Sequence, residues 1–86
     1  MNNNLSLTQL KNENDKIEKF LQNDDEIISL KESIEQAAKS KYENGVITLN
    51  DYLKEITELN KARQDKALHR IQLIANLYNQ NTDLGK

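Results

Sequence analysis

The only histidine of the chain, His69, follows Asp65 by one helical turn and sits beside Arg70. A zinc or iron centre would need further ligands at face-sharing spacings such as His-x-x-x-His or Glu-x-x-His, and neither spacing occurs. The expectation for His69 is therefore an ordinary surface or seam residue. Carboxylates come in pairs at Asp24-Asp25 and at Glu55 and Glu58. A working acid and base need burial or a cleft to drive their pKa values apart, and solvation of a helix face is the simpler role for such pairs. The chain has no cysteine, which removes thiolate chemistry, disulfides and sulfur-held zinc. It also has no glycine-rich phosphate loop, no Ser or Lys nucleophile beside a base, and no EF-hand spacing. No catalytic, metal or cofactor role is expected for any residue.

The elements that carry these side chains must be helices. Eighty-six residues suffice for one domain with a modest buried surface. Hydrophobic residues make up 36% and charged residues 30%, with Phe20, Tyr42, Tyr52 and Tyr78 the only aromatics, so a shared, seam-like core is easier to build than a compact one. Proline is absent and the two glycines are Gly45 and Gly85, leaving one break in the middle and one at the end. A net charge of −2 with both signs interspersed does not gather the cations that a nucleic-acid grip requires. Met1-Asn2-Asn3-Asn4 lacks the basic and apolar regions of an export signal, and no apolar run approaches the roughly 20 residues of a membrane span. As written, the sequence is expected neither to export itself nor to insert in a membrane. The absence of cysteine leaves cytoplasm and periplasm equally open.

Leu10, Ile17, Phe20, Leu21, Ile27, Ile28, Leu30, Ile34, Ala37, Ala38 and Tyr42 recur at threes, fours and sevens, which is the helical period. A second such stripe runs through Leu49, Tyr52, Leu53, Ile56, Leu59, Ala62, Ala67, Ile71, Ile74, Leu77 and Tyr78. The prediction is an all-α chain, a long antiparallel helical hairpin of coiled-coil type. One helix spans about 8–43, a tip 44–48 and a second helix about 49–79, with frayed ends. Asp15 to Lys19 and Glu35 to Lys39 have the spacing and order that support a solvated helix face. At the turn, Gly45 takes the left-handed conformation that ends a helix, and Asn44 tolerates the same region. Thr48 and Asp51 stand at capping-box spacing, flanked by Ile47 and Tyr52 at staple spacing. Asn-Gly also centres tight β-hairpins, but Ser40-Lys41-Tyr42-Glu43 lacks the alternation that would require.

Two features exceed what a plain hairpin needs. Val46, Ile47 and Leu49 put apolar side chains around the turn, either as a contact surface or as local staples. Asn60 to Lys66 interrupts the second stripe with polar residues. Such a stretch suits a helix in a larger barrel or beside a water-filled lumen, and equally an ordinary exposed stretch.

The segment Lys41 to Leu53 closely resembles a recurring motif of the TolC-like outer-membrane efflux and secretion channels, approximately aromatic-x-x-Gly-x-x-Ser/Thr-x-x-Asp-hydrophobic-Leu. Tyr42, Gly45, Thr48, Asp51, Tyr52 and Leu53 fall on it in order. The likeness continues through Leu59, Ala62, Arg63 and Ala67 to Tyr78 and the terminal Leu84-Gly85, covering about residues 28–86. In that family the motif is the periplasmic tip of a helical hairpin, one of a ring that forms a trimeric α-helical tunnel. By that resemblance Gly45, Val46, Ile47 and Leu49 would contact a periplasmic adaptor protein, while Asn44, Gly45, Thr48 and Asp51 would fix the turn. Ile27, Ile34, Tyr42, Tyr52, Leu53, Ile56, Leu59 and Ile74 would serve helix packing, within the hairpin and against its neighbours. The resemblance implies the periplasmic portion of an outer-membrane protein, acting in transport. The sequence departs from the family in lacking an export signal, an acylatable cysteine, alternating strands and a first structural repeat. The alternative expectation is a small soluble hairpin module that dimerises into a helical bundle.

Overall fold

A computed structural model describes residues 7–84, with side chains as far as Asn79. Two helices, α1 (Leu7–Glu43) and α2 (Leu49–Leu84), turn back on each other to form a hairpin 62 Å long and 16 Å across. The expected all-α hairpin is what the chain forms. α2 continues past the expected end near residue 79. Nothing from Asn79 to Asp83 breaks a helix, and each added residue of a propagating helix gains another backbone hydrogen bond. The fraying expected at the ends falls on residues 1–6 and 85–86, outside those described.

The seam between the helices follows a strict heptad rule. On α1 it takes Leu10, Asn14, Ile17, Leu21, Asp24, Ile28, Lys31, Glu35 and Ala38, in alternating steps of four and three. On α2 it takes Tyr52, Glu55, Leu59, Ala62, Lys66, His69, Leu73 and Asn76 in the same alternation. Every one of these is buried or half-buried, and apart from Glu32, Ile34, Ile47 and Ile56 every other described side chain is exposed. The narrow a/d contact of a two-helix coiled coil produces this division, because a repeat of about 3.5 residues keeps only those positions facing the partner.

Within the hairpin this geometry narrows the broad packing stripes to the seam. Leu59 lies in the seam at 6% exposure, and Ile34, Tyr52 and Ile56 are half-buried. Ile27, Leu53 and Ile74 are exposed and lie outside the seam, while Tyr42, 39% exposed, stacks across the helices on Tyr52 at its edge. The chain holds more apolar residues than one seam can cover. Its buried apolar core, among the described residues, is Leu10, Ile17, Ala38, Leu59 and Ala62. Thirteen large apolar side chains stay exposed, among them Phe20, Leu30, Ile71 and Ile74.

Candidate docking tip and interhelical seam

α1 ends in a Schellman turn. Gly45 adopts φ +75°, and no other described residue has positive φ. The Gly45 amide donates to the carbonyl of Tyr42 at 3.0 Å and the Val46 amide to that of Lys41 at 2.8 Å, the two bonds that satisfy the last carbonyls of a helix. Two residues later α2 is capped reciprocally. The Asp51 amide donates to Thr48 Oγ1 at 3.1 Å, and the Thr48 amide donates to Asp51 Oδ2 at 3.3 Å. Asn44, Gly45, Thr48 and Asp51 thus hold the turn as expected from their spacing, with the left-handed residue at Gly45 and not at Asn44.

The apolar residues of the tip divide. Val46 is 68% exposed and Leu49 49% exposed, held outward by a turn whose backbone is fully determined by its own hydrogen bonds. Ile47 is half-buried and lines a cleft with Ile34, Ala37 and Ala38 of α1. Of the two roles its position allowed, local packing is the one the geometry shows for Ile47, which sets it apart from the outward-facing Val46 and Leu49. Just inside the tip, the rings of Tyr42 and Tyr52 stack with centroids 5.7 Å apart. The Tyr52 hydroxyl donates to Glu35 Oε2 at 2.6 Å. That hydrogen bond to a carboxylate, together with desolvation and the negative charges of Glu35 and Glu43, holds the phenol above its ordinary range.

Along the shaft the ion pairs run between helices. Arg63 meets Glu32 at 3.0 Å, Lys66 meets Asp25 at 2.6 Å, and Lys31 meets Glu58 at 3.6 Å. The polar stretch Asn60 to Lys66 therefore serves the hairpin itself through Ala62, Arg63 and Lys66, while Asn60, Lys61, Gln64 and Asp65 remain exposed. Glu35, expected to support Lys39 on its own helix, reaches across to Tyr52 instead. His69 is a seam residue whose partner is Asp24, not Asp65. Its Nδ1 lies 2.5 Å from Asp24 Oδ2, and its ring lies 5.3 Å from that of Phe20. Asp24 is 7% exposed, so this contact is more deeply buried than the three Lys and Arg ion pairs of the shaft. Among the described residues no three or more His, Asp or Glu side chains are grouped to hold a metal ion, and no helix is long and apolar enough to cross a membrane.

Compared with protein families, with curated proteins and with solved structures, the chain finds no match.

Proposed function

We propose that this chain is a periplasmic helical hairpin of a TolC-like outer-membrane efflux channel, whose tip docks a periplasmic adaptor protein in a tripartite export system. The observation that carries the reading is the tip. Val46 and Leu49 are exposed on a turn locked on one side by the Schellman bonds and on the other by the capping box. A turn alone needs a glycine and a cap; outward apolar groups on a rigid turn serve contact. The role is one of docking and packing, without catalysis or cofactor.

The test is binding of the chain to the purified adaptor of a tripartite export system from the same organism. Val46→Asp should weaken binding at least tenfold while leaving the helical circular dichroism unchanged, because its side chain makes no part of the seam. Binding that survives both Val46→Asp and Leu49→Asp would sink the reading.

A second reading, a soluble hairpin module that self-associates into a helical bundle, is favoured by the thirteen exposed large apolar side chains. In that case the tip is dispensable and the flanks of the hairpin carry the function.

A further inference from the structure

The outward back of α2 changes character along its length. Rotated from the seam by about 150°, at about 100° per residue, one row of positions keeps the same steps of three and four. Near the tip that row holds Thr57, Asn60 and Gln64; farther on it holds Ala67, Ile71, Ile74 and Tyr78, all exposed. Ile71, Ile74 and Tyr78 stand 61%, 62% and 70% exposed. Leu68 and Ala75 border the row on one side, Arg70 and Leu77 on the other. The apolar arc therefore spans about half the circumference of the helix for about three turns, while the opposite side of α2 is already committed to α1. No Asp or Glu occurs between Lys66 and Thr82, and Lys66 is engaged with Asp25 across the seam. Arg70 is the charged residue that borders the patch.

We infer that two copies of this chain pair back to back on this patch about a two-fold axis, their α2 helices antiparallel and their tips at opposite ends. Antiparallel pairing in a four-three repeat sets Ala67 opposite Tyr78 of the second copy and Ile71 opposite its Ile74. The smallest residue of the row thus meets the largest, and the two isoleucines meet each other. On the borders Leu68 meets Ala75, again large on small. Arg70 meets Leu77, along which its stem lies while the guanidinium stays in water. A parallel pair would set Tyr78 on Tyr78 and Ala67 on Ala67, crowding one end and leaving a gap at the other. The exposed parts of these side chains offer roughly 800 Å² on each chain. Covering most of that on both copies buries about 1,100 Å², above the roughly 1,000 Å² that marks a specific interface. A two-fold pair of this kind is closed and grows no further. The row turns polar at Gln64, so the contact stops there and Val46 and Leu49 of both copies stay exposed. A lipid surface fits the patch less well, because an interfacial helix gathers Lys and Arg on its polar face, whereas α1 presents Glu13, Asp15 and Glu18 to solvent beside it. The pairing gives the self-associating module its partner and rests on that reading, not on tip docking.

Sedimentation velocity on the whole chain, from micromolar to millimolar concentration, should show a dimer and nothing larger. Ile71→Lys and Ile74→Asp should each weaken association at least tenfold with unchanged helical circular dichroism. Mixed in equal amounts, the two variants should dimerise again, since antiparallel pairing sets the introduced lysine against the introduced aspartate. The chain has no cysteine of its own, so dyes placed on Val46→Cys report the direction of pairing. Energy transfer between them should be weak, the tips lying about 75 Å apart at about 1.5 Å per residue. Strong transfer, or a mixture that stays monomeric, would overturn the antiparallel pairing. A dimer that Ile71→Lys leaves intact would overturn this face while sparing the self-associating module, and a wild type that stays monomeric would overturn both. A monomer that floats with phosphatidylglycerol vesicles would overturn the inference in favour of a membrane surface. Should a charged variant lose helicity, Ile71→Ser and Leu68→Ser repeat the dimerisation test on the same patch. Val46→Asp should dimerise as wild type, so that failure of tip docking and failure of this pairing are read separately.

Discussion

The tip and the shaft of this hairpin are stabilised by opposite means. Between Tyr42 and Tyr52 the conformation is set by bonds between near neighbours in sequence: two Schellman bonds, two capping-box bonds, and a first helical bond from the Tyr52 amide to the Thr48 carbonyl at 3.1 Å. Along the shaft the helices meet through Asn14, Asp24, Lys31, Lys66, His69 and Asn76 as much as through Leu and Ile, while Phe20, Ile27, Leu30, Ile71 and Ile74 face outward. The inside of the shaft is more polar than parts of its outside. A tip of this kind is rigid by itself. A shaft of this kind has a fixed register, because polar seam positions select their partners at some loss of stability, and it leaves large apolar side chains exposed on its flanks.

The sharpest break in that comparison is at Gly45. A Cβ there would meet nothing within 4 Å, so the whole penalty of a substitution is backbone strain at φ +75°. Left-handed backbone costs an ordinary residue about 1–2 kcal/mol and a β-branched one more. Gly45→Val should lower stability by roughly 2 kcal/mol or somewhat more, the strain of a β-branched residue held at that φ, as measured by urea unfolding. Gly45→Asn, which tolerates the left-handed region, should lose under half as much. Equal losses for both would mean that packing at the tip, and not its backbone, fixes the turn. Because Gly45→Val perturbs the turn itself, Val46→Asp is the cleaner probe of docking.

The shaft breaks differently. His69→Ala leaves the Asp24 carboxylate buried without its partner, which should lower stability by about 1–3 kcal/mol. Replacing both residues by leucine should restore or exceed the wild-type stability, since an apolar pair in place of a buried polar one is often neutral or better. The double variant should also lose its unique register, visible as broadened amide resonances. A double variant as unstable as His69→Ala would show that packing with Phe20, and not the polar pair, holds this layer.

The same division explains what was legible in the sequence. The end of α1, the start of α2, the turn at Gly45 and the cap at Thr48 and Asp51 depend on residues three to five apart, and their types announce them. The far end of α2 carries no such signal, and the helix runs on to Leu84, past the end near residue 79 that the periodicity predicts. The pairs Asp24 with His69, Glu35 with Tyr52 and Glu32 with Arg63 join residues 17 to 45 apart in sequence, and they follow only once the register between the helices is known. Counting apolar residues also pointed at too broad a surface. A hydrophobic stripe skips Asn14, Asp24, Lys31 and Glu35, which are in the seam, and includes Ile27, Leu53 and Ile74, which are not. Noticing that the steps of four and three continue unbroken through the polar residues would have separated the two.

Tyr52 stands where tip and shaft join, and it offers the smallest and most specific test. Its hydroxyl donates to Glu35, and the phenol is held above its ordinary range by that bond, by desolvation and by the charges of Glu35 and Glu43. A raised folded-state pKa means that the contribution to stability is whole below about pH 10, where the phenol is protonated in folded and unfolded chain alike. It is lost as pH climbs through the folded-state value, because the unfolded chain then ionises first. The melting temperature of the wild type should therefore fall more steeply above about pH 10 than that of Tyr52→Phe, which has no proton to lose. All other ionisable groups are common to the two proteins and cancel in the difference. Glu35→Gln, which removes the acceptor's charge, should flatten the fall to nearly the slope of Tyr52→Phe. Parallel slopes in all three proteins would mean that the hydroxyl contributes nothing to joining the helices, leaving the ring stack of Tyr42 and Tyr52 to couple tip and shaft alone.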